Sequence, residues 1–127
     1  MTEPMTTYRR CWIILLLKSA KTKMSIETIL KQFKSQIEPL YGNRLKKVML
    51  FGSWARNEAT NDSDIDVAVV LEGDVKAGHE IDSMIDTITD INLEYGVLLS
   101  VYPVSKNDYD NRKSPLLINL RKEGIPA

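Results

Sequence analysis

Apolar residues fall at Ile26, Ile29, Leu30, Phe33, Ile37 and Leu40, at offsets of 0, 3, 4, 7, 11 and 14 from the first. That spacing predicts a helix over Ser25 to Leu40, one face buried and Lys31 and Lys34 off the stripe. Ser25 is its candidate N-cap, and Gly42 stands just past its last turn. Leu45 to Phe51 ends in four consecutive apolar residues and stops at Gly52-Ser53, which predicts a buried strand. Gly52 to Ser63 has no apolar period and is rich in turn formers, so one helical turn and a loop are expected. Ile65 to Leu71 reads as a second strand, its run Val67-Ala68-Val69-Val70-Leu71 suited to cover on both faces. Ile81, Met84, Ile85, Ile88 and Ile91 return to helical spacing between Gly78 and Tyr95, with Gly96 as the stop. Val97 to Val104 reads as a third strand with Pro103 near its edge. Beyond it Ser105 caps a polar turn through Asp108, Ser114-Pro115 open a last helix, and Gly124 follows its end. The order α-β-β-α-β-α predicts an α/β (α+β) fold, a small mixed sheet flanked by helices.

Composition narrows the chemistry. The 127 residues suit one domain, which buries roughly two thirds of its unfolded surface and needs neither disulfide nor structural metal. The 17 basic and 17 acidic residues cancel, which argues against reliance on long nucleic acid but leaves a single nucleotide open as ligand. Cys11 is alone, so there is no intrachain disulfide and no thiolate zinc site, and a reducing, cytoplasmic setting is expected. His79 alone excludes any two-histidine site. Residues 1–23 are read as an N-terminal extension that packs on the domain or frays, and residues 24–127 as the domain itself. The apolar run Cys11 to Leu17 is seven residues long, lacks a small-residue cleavage site behind it, and is far shorter than the roughly 20 residues a bilayer span needs. Met24 is an alternative start. Phe33, Phe51, Trp12 and Tyr41 are at spacings typical of core, and self-association is left open.

Two short segments carry candidate chemistry. Gly52-Ser53 stands where a strand gives way to a helical turn, and backbone N–H groups at such a place can bind phosphate oxygens. By itself this pair marks no more than a turn. Asp64-Ile65-Asp66 adds to it, because residues i and i+2 of a strand share a face and two adjacent carboxylates repel unless a cation lies between them. Mg²⁺ takes one or two carboxylates together with substrate phosphates. The bland alternative is a loop on a solvated edge. A calcium loop is excluded, since Val67 stands where the sharp turn needs Gly and Gly73 where the bidentate Glu is required.

The string Gly52-Ser53-Trp54-Ala55-Arg56, seven residues, then Asp64-Ile65-Asp66 resembles the signature of the DNA polymerase beta-like nucleotidyltransferase superfamily, and in particular its minimal nucleotidyltransferases. The resemblance spans Ser25 to Gly124 and implies a polymerase beta palm-like fold. It implies transfer of a nucleoside monophosphate from an NTP, ATP foremost, to a hydroxyl with release of pyrophosphate. In that scheme Gly52 and Ser53 hold the phosphates, Arg56 adds a phosphate contact, and Asp64 and Asp66 are the catalytic Mg²⁺ ligands. Arg56 is equally readable as a surface residue pairing Glu58 or Asp62, and Trp54 as packing beneath the loop. The resemblance further implies a HEPN-type helical partner in a toxin–antitoxin pair.

The chain departs from the pattern in one place that touches catalysis. The family carries a third carboxylate on the strand after the long helix, and that strand contains no acid; Ser100 is expected at the position. A neutral hydroxyl is no general base near neutral pH, so the two-metal site would be incomplete. The family's Gly after Arg is Asn57, which tolerates left-handed backbone. Two further readings therefore stand beside the enzyme: a binding module that neutralises its partner by covering it, and a transferase acting on a small molecule.

Overall fold

The computed structural model describes residues 23–60 and 62–127. The predicted extension, with Cys11 and Trp12, lies outside these residues except for Lys23. Lys23 begins helix α1, Lys23–Tyr41, so Ser25 is inside the helix and does not cap it. There follow β1 (Leu45–Phe51), β2 (Ile65–Leu71), α2 (Ala77–Tyr95), β3 (Leu99–Ser105), α3 (Lys106–Asn111), α4 (Pro115–Glu123) and β4 (Ile125–Pro126). The sheet order is β3-β2-β1-β4, with β2 and β3 parallel and the other pairs antiparallel. This is the mixed sheet expected from the sequence. Among the described residues no helix is long and apolar enough to cross a membrane.

The alternation of the strands divides the core into two layers. Val48, Leu50, Ile65, Val67, Val69 and Leu71 face α1 and α2, where Ile26, Phe33, Ile37, Met84 and Ile91 complete one cluster. Met49, Phe51, Ala68, Val70 and Val104 face the other way, against Tyr109 of α3 and Leu117 and Leu120 of α4. From Val67 on, β2 is buried on both faces, as its apolar run predicted.

Several local expectations give way to contacts that no periodicity contains. Leu40 is exposed and Tyr41 is buried in its stead, its hydroxyl donating to the Glu80 carbonyl oxygen at 3.3 Å. On α2, Ile85 is exposed and Glu80 is buried, because Arg44 meets the Glu80 carboxylate at 3.4 Å. The third strand starts at Leu99, two residues later than Val97. Asn92 is the cause: its carbonyl accepts from Val97 N in the closing turn of α2, and its side-chain oxygen accepts from Leu99 N at 2.9 Å. The polar turn after Ser105 is a helix, α3, capped by the Ser105 hydroxyl, which accepts from Asp108 N at 3.0 Å. Strand β4 is too short for any pattern; Ile125 pairs Leu50 and Pro126 pairs Met49.

Candidate active site

Ile65 and Val67 belong to the α1/α2 layer, so Asp66 between them points to the other face of the sheet, at the end where α3 and α4 leave it uncovered. Asp66 pairs Phe51 on one side and Ser100 on the other. One register lower, Ala68 pairs Met49 and Tyr102, and the small Ala68 side chain lets the Phe51 and Tyr102 rings meet edge to face at 5.2 Å. Asp66 is half-buried, and burial followed by the charge of Asp64 pushes its pKa above the ordinary carboxylate value, with Arg56 pulling the other way.

Asp64 stands just ahead of β2 and is exposed, so the two carboxylates are not both on the strand as their spacing implied. They remain close enough for one to perturb the other. The loop that delivers Asp64 is tied down from inside: the Trp54 indole N–H donates to the Ser63 carbonyl at 3.2 Å, and the Ser63 hydroxyl accepts from Thr60 N at 2.9 Å. Trp54 thus packs against the core beneath the loop, and Ser63 fastens the loop through its hydroxyl and its carbonyl.

Gly52 lies directly against Asp66. Its φ is +75°, and a Cβ built there would collide with Oδ2 of Asp66. The glycine is required twice over, for backbone conformation and for the space the carboxylate occupies. From Gly52 the chain turns through Trp54 as a single 3₁₀ turn, with the Gly52 carbonyl accepting from Ala55 N and Arg56 N. The N–H groups opening such a turn have no partner within it. Asn57 has φ +59°, the left-handed conformation its side chain tolerates. Arg56 is half-exposed and meets Glu58 at 2.9 Å and Glu123, the last residue of α4, at 3.3 Å; Asp62 is not a partner in these pairs. Glu123 was not singled out in the sequence, since nothing in its position 67 residues from Arg56 advertises the contact.

Two carboxylates beside a turn of backbone donors have the chemistry to hold a hard divalent cation, which would draw its other ligands from phosphate and water oxygens. Among the described residues no three His, Cys, Asp or Glu side chains are grouped to hold a metal by themselves. Ser100 pairs Asp66, so β3 adds no carboxylate to Asp66 and Asp64. The site stands on an open sheet end, while the 250 Å³ cavity between α1 and the chain terminus is lined by Ile26, Leu30, Leu50 and Ile125 and carries none of these residues.

The profile of the nucleotidyltransferase domain family matches residues 26–119. A Methanocaldococcus jannaschii protein provisionally named protein adenylyltransferase MJ0604 is 38% identical over 90 residues, covering 71% of this chain and 83% of the relative. A second from the same organism, provisionally named protein adenylyltransferase MJ0141, is 32% identical over 77 residues, or 61% of this chain and 77% of the relative. A crystal structure from Sulfolobus solfataricus, provisionally titled a nucleotidyltransferase, superposes with a TM-score of 0.62 over 86% of this chain and 85% of its own, at 16% identity. That likeness bears on the fold.

Proposed function

The chain belongs to the nucleotidyltransferase domain family, and on that premise we propose that it moves AMP from ATP to a hydroxyl on a partner protein, with Mg²⁺ held by Asp64 and Asp66. The observation that carries this reading is the contact between Gly52 and Asp66, which joins the phosphate-binding turn to the carboxylate pair at van der Waals range. A cation on Asp64 and Asp66 would therefore sit within reach of phosphates lying along Gly52 and Ser53. The names of the two archaeal relatives support a protein acceptor.

In this reading Gly52 and Ser53 bind the β and γ phosphates and fix the direction in which pyrophosphate leaves. Arg56 reaches the same phosphates from the turn. Mg²⁺, when bound, would neutralise the charge that develops as the α-phosphorus changes partners. The acceptor oxygen bonds to the α-phosphorus, the bond to the bridging oxygen breaks, and pyrophosphate departs. Ser100 cannot take the hydroxyl proton near neutral pH, so it passes to solvent. Catalysis is accordingly slower than in a site with a third carboxylate.

By the resemblance drawn above, the partner is a HEPN-type helical protein and the pair acts as toxin and antitoxin in the cytoplasm. The test is incubation of the chain with α-labelled ATP, Mg²⁺ and the co-encoded neighbour. Label on the neighbour that disappears with Asp64→Asn supports the proposal, and no label on any acceptor, with the variant indistinguishable from wild type, refutes it. Ser100 opposite Asp66 favours one second reading, a module that silences its partner by binding alone. Under it, Asp64→Ala and Asp66→Ala leave partner inhibition intact.

A further inference from the structure

Arg56 presents two bidentate edges, one formed by Nε with Nη2 and the other by Nη1 with Nη2. In the folded chain Nε donates to Glu58 Oε1 at 2.9 Å and Nη1 donates to Glu123 Oε2 at 3.3 Å. Two of its three nitrogens are therefore already engaged by carboxylates, and a phosphate that takes the same N–H groups competes with Glu58 or Glu123 for them.

Of the two carboxylates, Glu123 stands on backbone that the fold holds beside the turn, while its side chain is about one-third exposed and has room to swing away. It closes α4, and Gly124 behind it is packed so tightly that a Cβ there would meet the Leu120 carbonyl and lie 2.8 Å from Met49 Cε. Ile125 and Pro126 then pair Leu50 and Met49, and Ala127 N donates to the Val48 carbonyl at 2.8 Å. The same strand β1 leads into Gly52 at its other end, and Arg56 N is bonded to the Gly52 carbonyl. The backbones of Glu123 and the turn are thus fixed to one strand, so the sheet brings the two side chains within reach of each other. Glu58, by contrast, is an exposed neighbour of Arg56 in the same loop.

We propose that Glu123 is a positioning residue that occupies the Arg56 guanidinium as an internal stand-in for phosphate, and that an incoming nucleoside triphosphate displaces it. The inference rests on the nucleotide reading of the site given above. It makes the C-terminal helix a competitor for the ligand: binding frees Glu123, and the negative charge left beside the triphosphate weakens the complex. Two carboxylates and a polyphosphate around a single guanidinium repel one another, so neutralising Glu123 strengthens binding and neutralising Arg56 weakens it.

The experiment is titration calorimetry of the full chain with Mg²⁺ and ATP, and with adenosine, on wild type, Glu123→Gln, Glu123→Asp, Arg56→Gln and the double variant Glu123→Gln/Arg56→Gln. Melting curves on the same proteins confirm folding. The expected result is that Glu123→Gln binds ATP about two- to fivefold tighter than wild type, the span of a half-exposed ion pair. Adenosine affinity is unchanged, Glu123→Asp stays near wild type, and the gain vanishes on the Arg56→Gln background. An ATP affinity in Glu123→Gln equal to or below wild type, or a gain that persists without Arg56, overturns the inference while leaving the nucleotide site standing. Absence of ATP binding in both wild type and Glu123→Gln overturns the nucleotide reading and the inference together.

Discussion

Asp66 and Ser100 face each other as register partners across the parallel ladder of β2 and β3. A carboxylate placed at residue 100 would stand beside Asp66 on the same face of the sheet, the side from which the proposed reading brings the acceptor oxygen. On the proposed reading, Ser100→Asp is therefore expected to raise the rate of AMP transfer by about a hundredfold, the lower end of the about 10²- to 10⁴-fold that a positioned base contributes. The same change adds a third anion to a pair that already repels, so the metal-free protein should melt lower. Initial rates with and without Mg²⁺, beside melting curves, check both halves.

Gly52→Ala tests the contact between the turn and the carboxylate. The substitution forces a side chain into φ +75° and drives Cβ against Asp66 Oδ2. A loss of about 1–3 kcal/mol in unfolding free energy is expected, together with loss of nucleotide binding, since the turn and Asp66 must separate. Urea unfolding measures the first and calorimetry with ATP the second. Unaltered stability would show that the turn can shift without strain.

Asp66 should cost the protein stability when no cation is present. Its pKa is raised from 3.8 by burial and by Asp64, so over the range just above that value the folded chain holds a proton that the unfolded chain has released. Stability falls as pH rises through this range and stays reduced at neutral pH. Asp66→Asn cannot ionise. It is expected to melt above wild type near neutral pH without divalent metal, to converge with wild type in acid, and to gain nothing from added Mg²⁺, whereas wild type gains. Scanning calorimetry across pH, with and without Mg²⁺, follows all three.

Tyr41 gives the alkaline counterpart far from the site. Burial, then hydrogen bonding to Glu80 and its charge, raise the phenol from 10.0 to about 12. Between those values the folded state keeps a proton that the unfolded state loses, so Tyr41 contributes stability that is complete below pH 10 and disappears as pH climbs toward about 12. Tyr41→Phe should lose about 1 kcal/mol at neutral pH with the hydrogen bond to the Glu80 carbonyl, and its stability should decline less steeply over that alkaline span. Denaturant midpoints at a series of pH values provide the comparison.

Much of the fold was legible because its signals are local. The stripe from Ile26 to Ile37, the runs that became β1 and β2, and the stripe of Met84, Ile88 and Ile91 each specify an element through the period of their own side chains. Caps at Ser105 and Ser114 were legible for the same reason, and Gly96, with φ +64°, stops α2 as its position implied. The errors lie where a residue answers to something distant. Leu40 and Ile85 fit their stripes and are exposed, because Tyr41 and Glu80 are drawn in by each other and by Arg44. Strand β4 escaped notice because two residues cannot show a period; β1 creates it by offering them a partner.

The sequence by itself determined the class of fold and the residue types of the candidate site: a glycine–serine turn and a doubled aspartate at a spacing that leaves seven residues between Arg56 and Asp64. Only the tertiary structure decided how they meet. It laid Gly52 on Asp66, moved Asp64 off the strand, set Ser100 opposite Asp66, and brought Glu123 across 67 residues to Arg56. The physical reason is range. Propensity and periodicity act within a few residues along the chain, whereas a close approach, a ladder register or an ion pair between remote positions exists only once the sheet has fixed which backbones lie side by side.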